Sequence, residues 1–293
     1  MRKHENGVIS MALSHGGRAL DLSVTVTVSG CYPVVADVSY IHPAPSFNRL
    51  FVFVRGGGEL RIEGVTPCRL VPGNLFLMPA GQTFVCDYQQ GSEFIYFHFE
   101  LADAFGLELL SDLPPGVLRL AAPELAAEIV NAYQRQELEG MLRAQAGAFD
   151  GICQLIAPLF QDREWRMAVP AKYRAAFNHA VRHSRASLTV KELAQVAGVS
   201  RGVLSKWLQR ETGIPVKEYL ARLLMQKALR LVGGTDKTAK EIAVELGFDD
   251  PLYFFRLFKR RTGRTPMAYR AAVMAGAYEP AVPATPEALP EGH

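Results

Sequence analysis

Apolar residues recur along this 293-residue chain with two different periods. Up to residue 115 they mostly alternate with polar residues, as at Val24, Val26 and Val28, which is the pattern of a half-buried strand. From residue 116 onward they recur every three or four positions, as expected for helices that bury one face. The pattern predicts an α+β protein with an N-terminal β domain and a helical remainder.

Short apolar runs in the first part are separated by turns that contain Gly and Pro. The predicted strands cover residues 24–28, 34–41, 49–55, 59–63, 68–71, 75–78, 84–88 and 93–99. β-Branched and aromatic residues are frequent in these runs, and they suit a pleated, half-buried surface. Several short strands at this spacing predict a β-sandwich or a small barrel over residues 1–115.

Residues 116–165 have the apolar spacing of two helices. Leu125 and Ile129 share one face of the first helix, and Ile152 and Leu155 share one face of the second. Two interpretations stay open: the pair packs on the β domain, or its free apolar face associates with a second subunit.

The chain has two segments without helical or strand periodicity after residue 165. Residues 166–172 are predicted to form a linker between two domains. Residues 276–293, rich in Pro, Ala and Glu, are predicted to form a disordered tail.

Residues 233–263 predict two short helices joined by a tight turn. Gly247 can adopt the left-handed conformation in which the first helix ends. Asp250 suits the N-cap of the second helix, and Pro251 suits its first position. The second helix places Phe254 and Phe258 on one face and basic residues on the other. Two short helices, a glycine turn and a basic second helix predict a DNA-binding helix-turn-helix.

The same pattern occurs earlier in the chain, at residues 188–213. Glu192, Ala194 and Gly198 are repeated 49 positions later, and Arg210 and Gly213 are repeated 50 positions later. A fixed offset with a one-residue slip in the turn indicates an internal duplication. Between the copies, residues 216–232 predict one connecting helix of about 17 residues, or ~25 Å. Such a helix can hold two recognition helices about one DNA turn, ~34 Å, apart.

The net charge of +3 conceals an asymmetry between the two parts of the chain. Residues 170–275 hold 20 Lys and Arg against 8 Asp and Glu, whereas the remainder holds 12 against 21. A basic module joined to an acidic one is expected when only one of them meets a phosphate backbone.

Several classes of protein are disfavoured by composition. The four cysteines are scattered without a Cys-x-x-Cys pair, which argues against a zinc knuckle or a disulfide framework. No run of ~18 apolar residues suggests a membrane span. The N-terminus leads into no long apolar stretch, so we expect no signal peptide and a cytoplasmic protein.

Residues 171–273 resemble the DNA-binding domain of AraC/XylS transcription regulators over its whole length. Three motifs carry the resemblance: Glu241-Ile-Ala-x-x-x-Gly-Phe248, Tyr253-Phe-x-Arg-x-Phe-Lys259 and Thr262-Gly-x-Thr-Pro266-x-x-Tyr-Arg270. The resemblance implies a double helix-turn-helix DNA-binding domain, which we place at residues 173–275.

The resemblance also implies which side chains meet DNA. The base-facing residues would be Arg201, Gly202, Ser205, Lys206, Leu252, Phe255 and Arg256. Leu252 and Phe255 offer only apolar contacts, so the second copy is expected to hold phosphates more than to read bases. The phosphate contacts would be Lys259, Arg260, Arg261 and Arg264.

Residues 73–84 resemble the cupin-type jelly roll that serves as a sensor in sugar-responsive regulators. Metal-binding cupins use a His pair and a Glu on facing strands. Here Thr83 or Phe84 stands where a His often occurs, and His42 and His98 have no second ligand at strand spacing. We therefore predict no metal, no cofactor and no catalytic residue.

A small barrel can instead hold one small molecule among its inward-facing side chains. The candidate effector-binding residues are Tyr40, His42, Arg49, Phe53, Tyr96 and His98. The resemblance implies an effector such as a sugar or a related metabolite.

These features together predict a cytoplasmic, sequence-specific transcription regulator, an activator rather than a repressor. Its expected partners are double-stranded promoter DNA, the small-molecule effector, RNA polymerase and a second copy of the chain, with residues 116–165 forming the dimer contact. Two other hypotheses are a metal-dependent cupin enzyme, which the missing His pair disfavours, and a constitutive DNA-binding protein whose barrel only dimerises.

Overall fold

The computed structural model describes residues 4–15, 18–42, 47–103, 105–110, 113–160 and 169–271. The predicted tail (276–293) and residues 166–168 of the predicted linker lie outside this range. The last two residues of the predicted linker, 171 and 172, already belong to a helix.

Strands fill the N-terminal part of the described chain. They are β1 His4–His15, β2 Arg18–Pro33, β3 Val38–His42, β4 Asn48–Arg55, β5 Gly58–Arg61, β6 Cys68–Leu70, β7 Asn74–Met78, β8 Phe84–Tyr88, β9 Glu93–Ala102 and β10 Leu118–Ala121. They pair antiparallel in a six-stranded sheet of order β1-β2-β9-β4-β7-β10 and a four-stranded sheet of order β3-β8-β5-β6. A β-rich first part followed by helices confirms the predicted two-domain α+β architecture, whereas the cupin jelly roll stays a prediction.

The six-stranded sheet carries an apolar layer on each face. On β4, Leu50 and Val52 pack toward two helices, while Phe51 and Phe53 face the other sheet. Successive strand residues point to opposite faces, so this continuous apolar run fits a strand that is covered on both sides.

Two strands were not predicted. The Asn6-Gly7 pair is a strong turn signal, yet it lies inside β1, where pairing with β2 overrides the local preference. The four-residue strand β10 is too short to show a period, and its pairing with β7 is visible only in three dimensions. The six-stranded sheet extends to Ala121, past residue 115, where the domain boundary was predicted.

Two helices, α1 Pro123–Gln134 and α2 Leu138–Ile156, cover the outer face of the six-stranded sheet. Gly151 lets α2 approach closely, since a Cβ atom there would lie 2.2 Å from Leu75 Cδ2 of the sheet. Leu138 and Leu142 remain exposed on α2. The pair thus packs on the β domain, as one of the two interpretations predicted, and leaves a small apolar surface free.

Six further helices make up the described C-terminal part. They are α3 Ala171–Arg182, α4 Val190–Val196, α5 Arg201–Thr212, α6 Val216–Gly234, α7 Ala239–Glu245 and α8 Pro251–Thr262. They surround two apolar cores, and α6 contributes to both. Tyr219 and Leu223 belong to the core of α3, α4 and α5, whereas Ala228 and Val232 belong to the core of α7 and α8.

A loop of the N-terminal domain inserts into the first of these cores. Phe105 packs edge-on against Phe177 of α3, with ring centroids 4.9 Å apart, and lies 6.1 Å from the Trp207 ring of α5. The Tyr219 hydroxyl donates to the Phe105 carbonyl oxygen at 2.8 Å. Arg230 of α6 forms an ion pair with Glu100 of β9 at 2.9 Å. The two domains are therefore docked through apolar and polar contacts.

Tyr219→Phe should lower the free energy of unfolding by about 1–2 kcal/mol, because the buried Phe105 carbonyl loses its donor. Denaturant unfolding of the full chain measures the loss. Tyr253→Phe is the matched control, since the Tyr253 side chain is half exposed and its change should be near zero. Equal losses in the two variants would contradict the buried hydrogen bond.

Candidate DNA-binding surface and effector site

The second helix of each C-terminal pair begins and ends with the same local signals. Ser200 Oγ accepts a hydrogen bond from the Val203 amide at 3.3 Å before α5, and Asp250 Oδ1 accepts one from the Leu252 amide at 2.8 Å before α8. Glycines with left-handed φ of 72° and 75° end these helices at positions 213 and 263.

The turns between the paired helices also match. Gly198 and Gly247 have φ of 64° and 76°, which a residue with a side chain adopts at a cost. The amide after each glycine bonds back into the preceding helix, to Ala194 at 3.0 Å in the first turn and to Ala243 at 2.9 Å in the second. The two turns therefore share the same local backbone geometry.

Helix α5 buries Leu204 and Leu208 and exposes small and basic side chains on its other face. Leu204 and Leu208 are fully buried. Of the predicted base-facing residues, Arg201, Gly202 and Lys206 are exposed, and Ser205 is half-buried. Trp207 stacks on Tyr173 of α3 with centroids 4.1 Å apart, so its role is packing.

Helix α8 presents a more apolar surface than α5. Leu252 is 60% exposed and Arg256 is also exposed, with its Nη2 atom 3.4 Å from Asp250 Oδ2. Phe255 is half-buried against the neighbouring Phe254 ring, which leaves only part of it available to a partner.

Tyr253 is a surface residue that the sequence interpretation missed. It is 50% exposed at the start of α8, and its equivalent in α5, Val203, is 48% exposed. Val203 and Tyr253 lie 50 positions apart, which is the offset between the two copies. The repeat therefore places both residues at the same point of their helices and could have identified Tyr253 from the sequence. Its hydroxyl gives α8 a polar group beside Arg256.

The predicted phosphate-contacting residues separate into two groups. All four side chains are exposed. Arg261 differs because both of its terminal nitrogens bond the Glu218 carboxylate of α6, at 2.8 and 2.9 Å. These hydrogen bonds from Arg261 lower the pKa of Glu218, and the pair fastens α8 to α6.

Residues outside the helix pairs link the parts of the C-terminal domain. The Ala186 amide, ahead of α4, donates to the Leu246 carbonyl at the end of α7 at 2.7 Å. The Arg270 guanidinium bonds the carbonyl oxygens of Val232 and Lys237, which caps the end of α6. These bonds thus join the segment ahead of α4 to the end of α7, and the segment after α8 to the end of α6.

Residues 193–272 match a family described as a helix-turn-helix domain. These residues form an AraC-type helix-turn-helix domain. The AraC-type domain of this chain covers α5, α6, α7 and α8 in full, together with most of α4.

Similar proteins carry regulatory names. The uncharacterized HTH-type transcriptional regulator YisR of Bacillus subtilis is 32% identical over 106 residues, which are 35% of this chain and 37% of YisR. The HTH-type transcriptional activator RhaR of Shigella dysenteriae is 22% identical over 262 residues, 84% of this chain and 91% of RhaR. For YisR and three other curated regulators, this chain matches only 30–37% of their length.

Among solved structures, the chain was matched to ToxT of Vibrio cholerae with a bound unsaturated fatty acid. Its TM-score is 0.45 at 15% identity, and the comparison covers 86% of this chain and 97% of ToxT.

The predicted effector-binding residues lie on three strands of the β domain: Tyr40 and His42 on β3, Arg49 and Phe53 on β4, and Tyr96 and His98 on β9. Antiparallel pairing sets Arg49 beside His98. His42 stacks on Phe84 of β8 with centroids 4.5 Å apart, and its Nε2 lies 3.0 Å from the Tyr88 hydroxyl. Burial holds the pKa of His42 well below its usual value, so its imidazole is neutral.

The six candidates do not share one environment. Phe53 is buried among Phe76, Tyr88 and Phe94, which makes it a core residue. Tyr40 and His98 are partly exposed, while His42 and Arg49 are buried. Arg49 is the charged member of the set, and its guanidinium lies over the Phe84 ring.

Within the described ranges, no group of three or more His, Cys, Asp or Glu side chains has the arrangement of a metal site. No helix in the described part of the chain combines the length and the apolar character that crossing a membrane requires.

Glu218→Gln should lower the free energy of unfolding by about 0.5–1 kcal/mol near neutral pH, because Arg261 loses a charged, two-point acceptor. The pKa of Glu218 is lowered in the folded state, so this stability is present above the usual Glu pKa and is lost as the pH falls through the folded value. The difference from the wild type should shrink below about pH 4.

Denaturant unfolding at several pH values measures this dependence. Glu139→Gln is the matched control, because Glu139 pairs with Arg143 on the exposed face of α2. It should cost less near neutral pH. A Glu218→Gln loss that stays constant down to pH 3 would contradict an ionic origin.

Proposed function

We propose that this protein is a sequence-specific transcription regulator that binds promoter DNA with α5 and α8 and responds to a small effector in the β domain. The observation that carries this proposal is the duplicated helix pair. In each copy a side chain caps the start of the second helix and a left-handed glycine ends it, and each second helix exposes basic side chains. Two short helices that present the second for contact are the geometry of a major-groove reader.

Helix α5 is proposed as the principal base reader. Arg201 and Lys206 are exposed cations that can pair with guanine N7 and O6. Gly202 lies between them with open space where a Cβ atom would be, so the helix can approach the base edges closely. Ser205 supplies a hydroxyl for either a base or a phosphate.

Helix α8 is proposed as the anchoring reader. Arg256 and Tyr253 are its polar groups near the helix start, and Leu252 and Phe255 can meet a thymine methyl group. Lys259, Arg260 and Arg264 lie further along and can neutralise phosphates. Arg261 is proposed as a structural residue, because Glu218 already occupies its guanidinium.

The effector response is proposed to use the docked loop between the two domains. Asn48, the strand neighbour of Arg49, donates to Glu108 at 3.0 Å. Glu108 belongs to the same loop as Phe105, which enters the core beside α5. A ligand that moves β4 would therefore act on a segment that contacts the DNA-binding domain.

The remaining features of the proposal are a homodimer, contact with RNA polymerase, activation rather than repression, and a cytoplasmic location. Exposed Leu138 and Leu142 on α2 favour a dimer contact at the helical pair. The names of similar proteins are those of regulators and not of enzymes, which disfavours the metal-dependent enzyme.

Arg256→Ala should weaken binding to selected operator DNA by about 5- to 100-fold and relax its sequence preference, since one base contact is worth about 1–3 kcal/mol. Lys259→Ala should weaken operator and random DNA alike and reduce the salt slope by about 1. Gel-shift titrations over a salt series, with DNA selected from a random library, measure both effects.

Arg143→Ala is the control for this comparison, because Arg143 is an exposed cation on α2, outside the DNA-binding domain. It should leave both affinities unchanged. The division of roles fails if Arg256→Ala and Lys259→Ala change operator and random DNA by the same factors. Affinity that ignores salt would refute phosphate-based binding altogether.

A further inference from the structure

Arg49 lies inside the β domain, where a guanidinium is rarely fully buried without a partner. Residues 49, 51 and 53 of β4 all face the space between the two sheets, and Arg49 is only 2% exposed. Its partners in register are Met78 on β7 and His98 on β9. Neither neighbour is an anion.

Aromatic rings surround this guanidinium. Its central carbon lies 5.2 Å from the Phe47 ring centroid and 5.1 Å from the Phe84 ring centroid. Cation–π contacts of this kind replace part of the hydration that a buried cation loses. They leave the N–H groups unused, and Arg49 Nη1 has no hydrogen-bond partner.

Two neighbouring polar atoms also lack a hydrogen-bond partner. His42 Nδ1 and the Tyr40 hydroxyl are buried without a hydrogen-bond partner, and the two rings pack at 4.7 Å. Among the described residues, no carboxylate forms an ion pair with Arg49. Burial lowers the pKa of Arg49 to about 10, so its guanidinium remains charged at neutral pH.

A buried, charged group without a counter-ion is strongly unfavourable. The fold nevertheless encloses Arg49, and the two further unused polar atoms belong to residues that its charge influences. Such an arrangement is expected where an anion completes the site.

We propose that the β domain binds an organic carboxylate, with the Arg49 guanidinium as its counter-ion and Tyr40 and His42 as additional polar contacts. This inference rests on the proposed function, because it names the chemical class of the effector. It proposes a carboxylate where the resemblance implied a sugar or a related metabolite.

The composition of the site favours a carboxylate over other anions. The planar guanidinium matches a carboxylate in a two-point contact. One arginine balances one negative charge, and the neighbouring His42 is neutral. A phosphate group would require further cations or a helix N-terminus, and no helix among the described residues begins in this strand-lined interior.

The surrounding rings also favour a carboxylate with an apolar body. Phe51, Phe84 and Phe94 are buried in the same interior. Tyr40, Phe47 and His98 are partly exposed and form the outer edge of the cluster. Phe47 and His98 stack at 4.4 Å, so a ligand would pass this pair to reach Arg49.

The test is a thermal-shift titration of the full chain with benzoate, phenylacetate and octanoate. The matched neutral compounds are benzamide, phenylacetamide and octanamide, with inorganic phosphate as a further anion. We expect at least one carboxylate, and none of the neutral compounds, to raise the melting temperature by a few degrees.

Arg49→Met should weaken carboxylate binding by about 10- to 100-fold, the loss expected for a hydrogen bond to a charged group. It should also raise the melting temperature of the ligand-free protein, because it removes an unpaired buried charge. Arg55→Met is the matched control, since Arg55 ends the same strand with its side chain 68% exposed, and it should bind as the wild type does. If Arg49→Met does not fold, Arg49→Lys is tested in its place. It should bind the carboxylate, but more weakly than the wild type does.

Several outcomes would overturn this assignment. They are equal stabilisation by the neutral compounds, carboxylate binding that survives Arg49→Met, Arg49-dependent stabilisation by phosphate alone, and the absence of any carboxylate effect. A lower melting temperature of folded, ligand-free Arg49→Met would make Arg49 a structural residue and also contradict the proposal.

Gel-shift assays with the same carboxylate separate this inference from the proposed function. Arg49-dependent binding that leaves operator affinity unchanged supports the carboxylate site and refutes the effector response. Salt-dependent operator binding without any carboxylate effect supports the DNA-binding role and refutes the site.

Discussion

The docking of one loop ties the two domains together. Asp103 accepts hydrogen bonds from the Phe105 and Leu107 amides, each at 2.9 Å, and so holds the turn that carries Phe105 into the α3–α5 core. Glu108 holds the other end of the loop by accepting from Asn48 and from the Leu101 amide. Burial raises the pKa of Asp103 to about 6 and that of Glu108 to about 7, so both carboxyls sit where charge is costly. The amide donors offset that cost, and without the loop α3 and α5 would expose an apolar surface.

The duplicated helix pair has diverged where each copy meets the rest of the protein. Tyr219 and Tyr269 occupy equivalent positions, 50 residues apart. Tyr219 bonds the Phe105 carbonyl of the β domain, whereas Tyr269 packs with Phe258 in the second core. The first copy therefore receives the docking loop, and it also has the more polar recognition helix. The first copy would then both receive the signal from the β domain and read bases, and the second copy would mainly bind phosphates.

Local signals account for the features that could be predicted from sequence. Thr238 and Glu241 form a capping box, Asp250 caps α8, and Gly247 and Gly263 end helices, all within four or five residues of the positions they control. Long-range features could not be predicted in this way. The pairing of β10 with β7, the capture of Arg261 by Glu218 and the insertion of Phe105 join residues about 40 to 110 positions apart, and each depends on which neighbours the fold supplies.

The environment of the Arg49 side chain is another feature that could not be predicted from the sequence. The sequence placed it among inward-facing candidates, but only the structure reveals that its neighbours are aromatic rings and that one N–H group is unused. Its strand neighbour Asn48 faces the opposite side of the sheet and bonds the docking loop. A ligand at Arg49 and the loop at Asn48 therefore meet β4 from its two faces. Binding can alter the DNA-binding domain only to the extent that the ligand prefers one loop arrangement over another, because equal affinity for both would leave their populations unchanged.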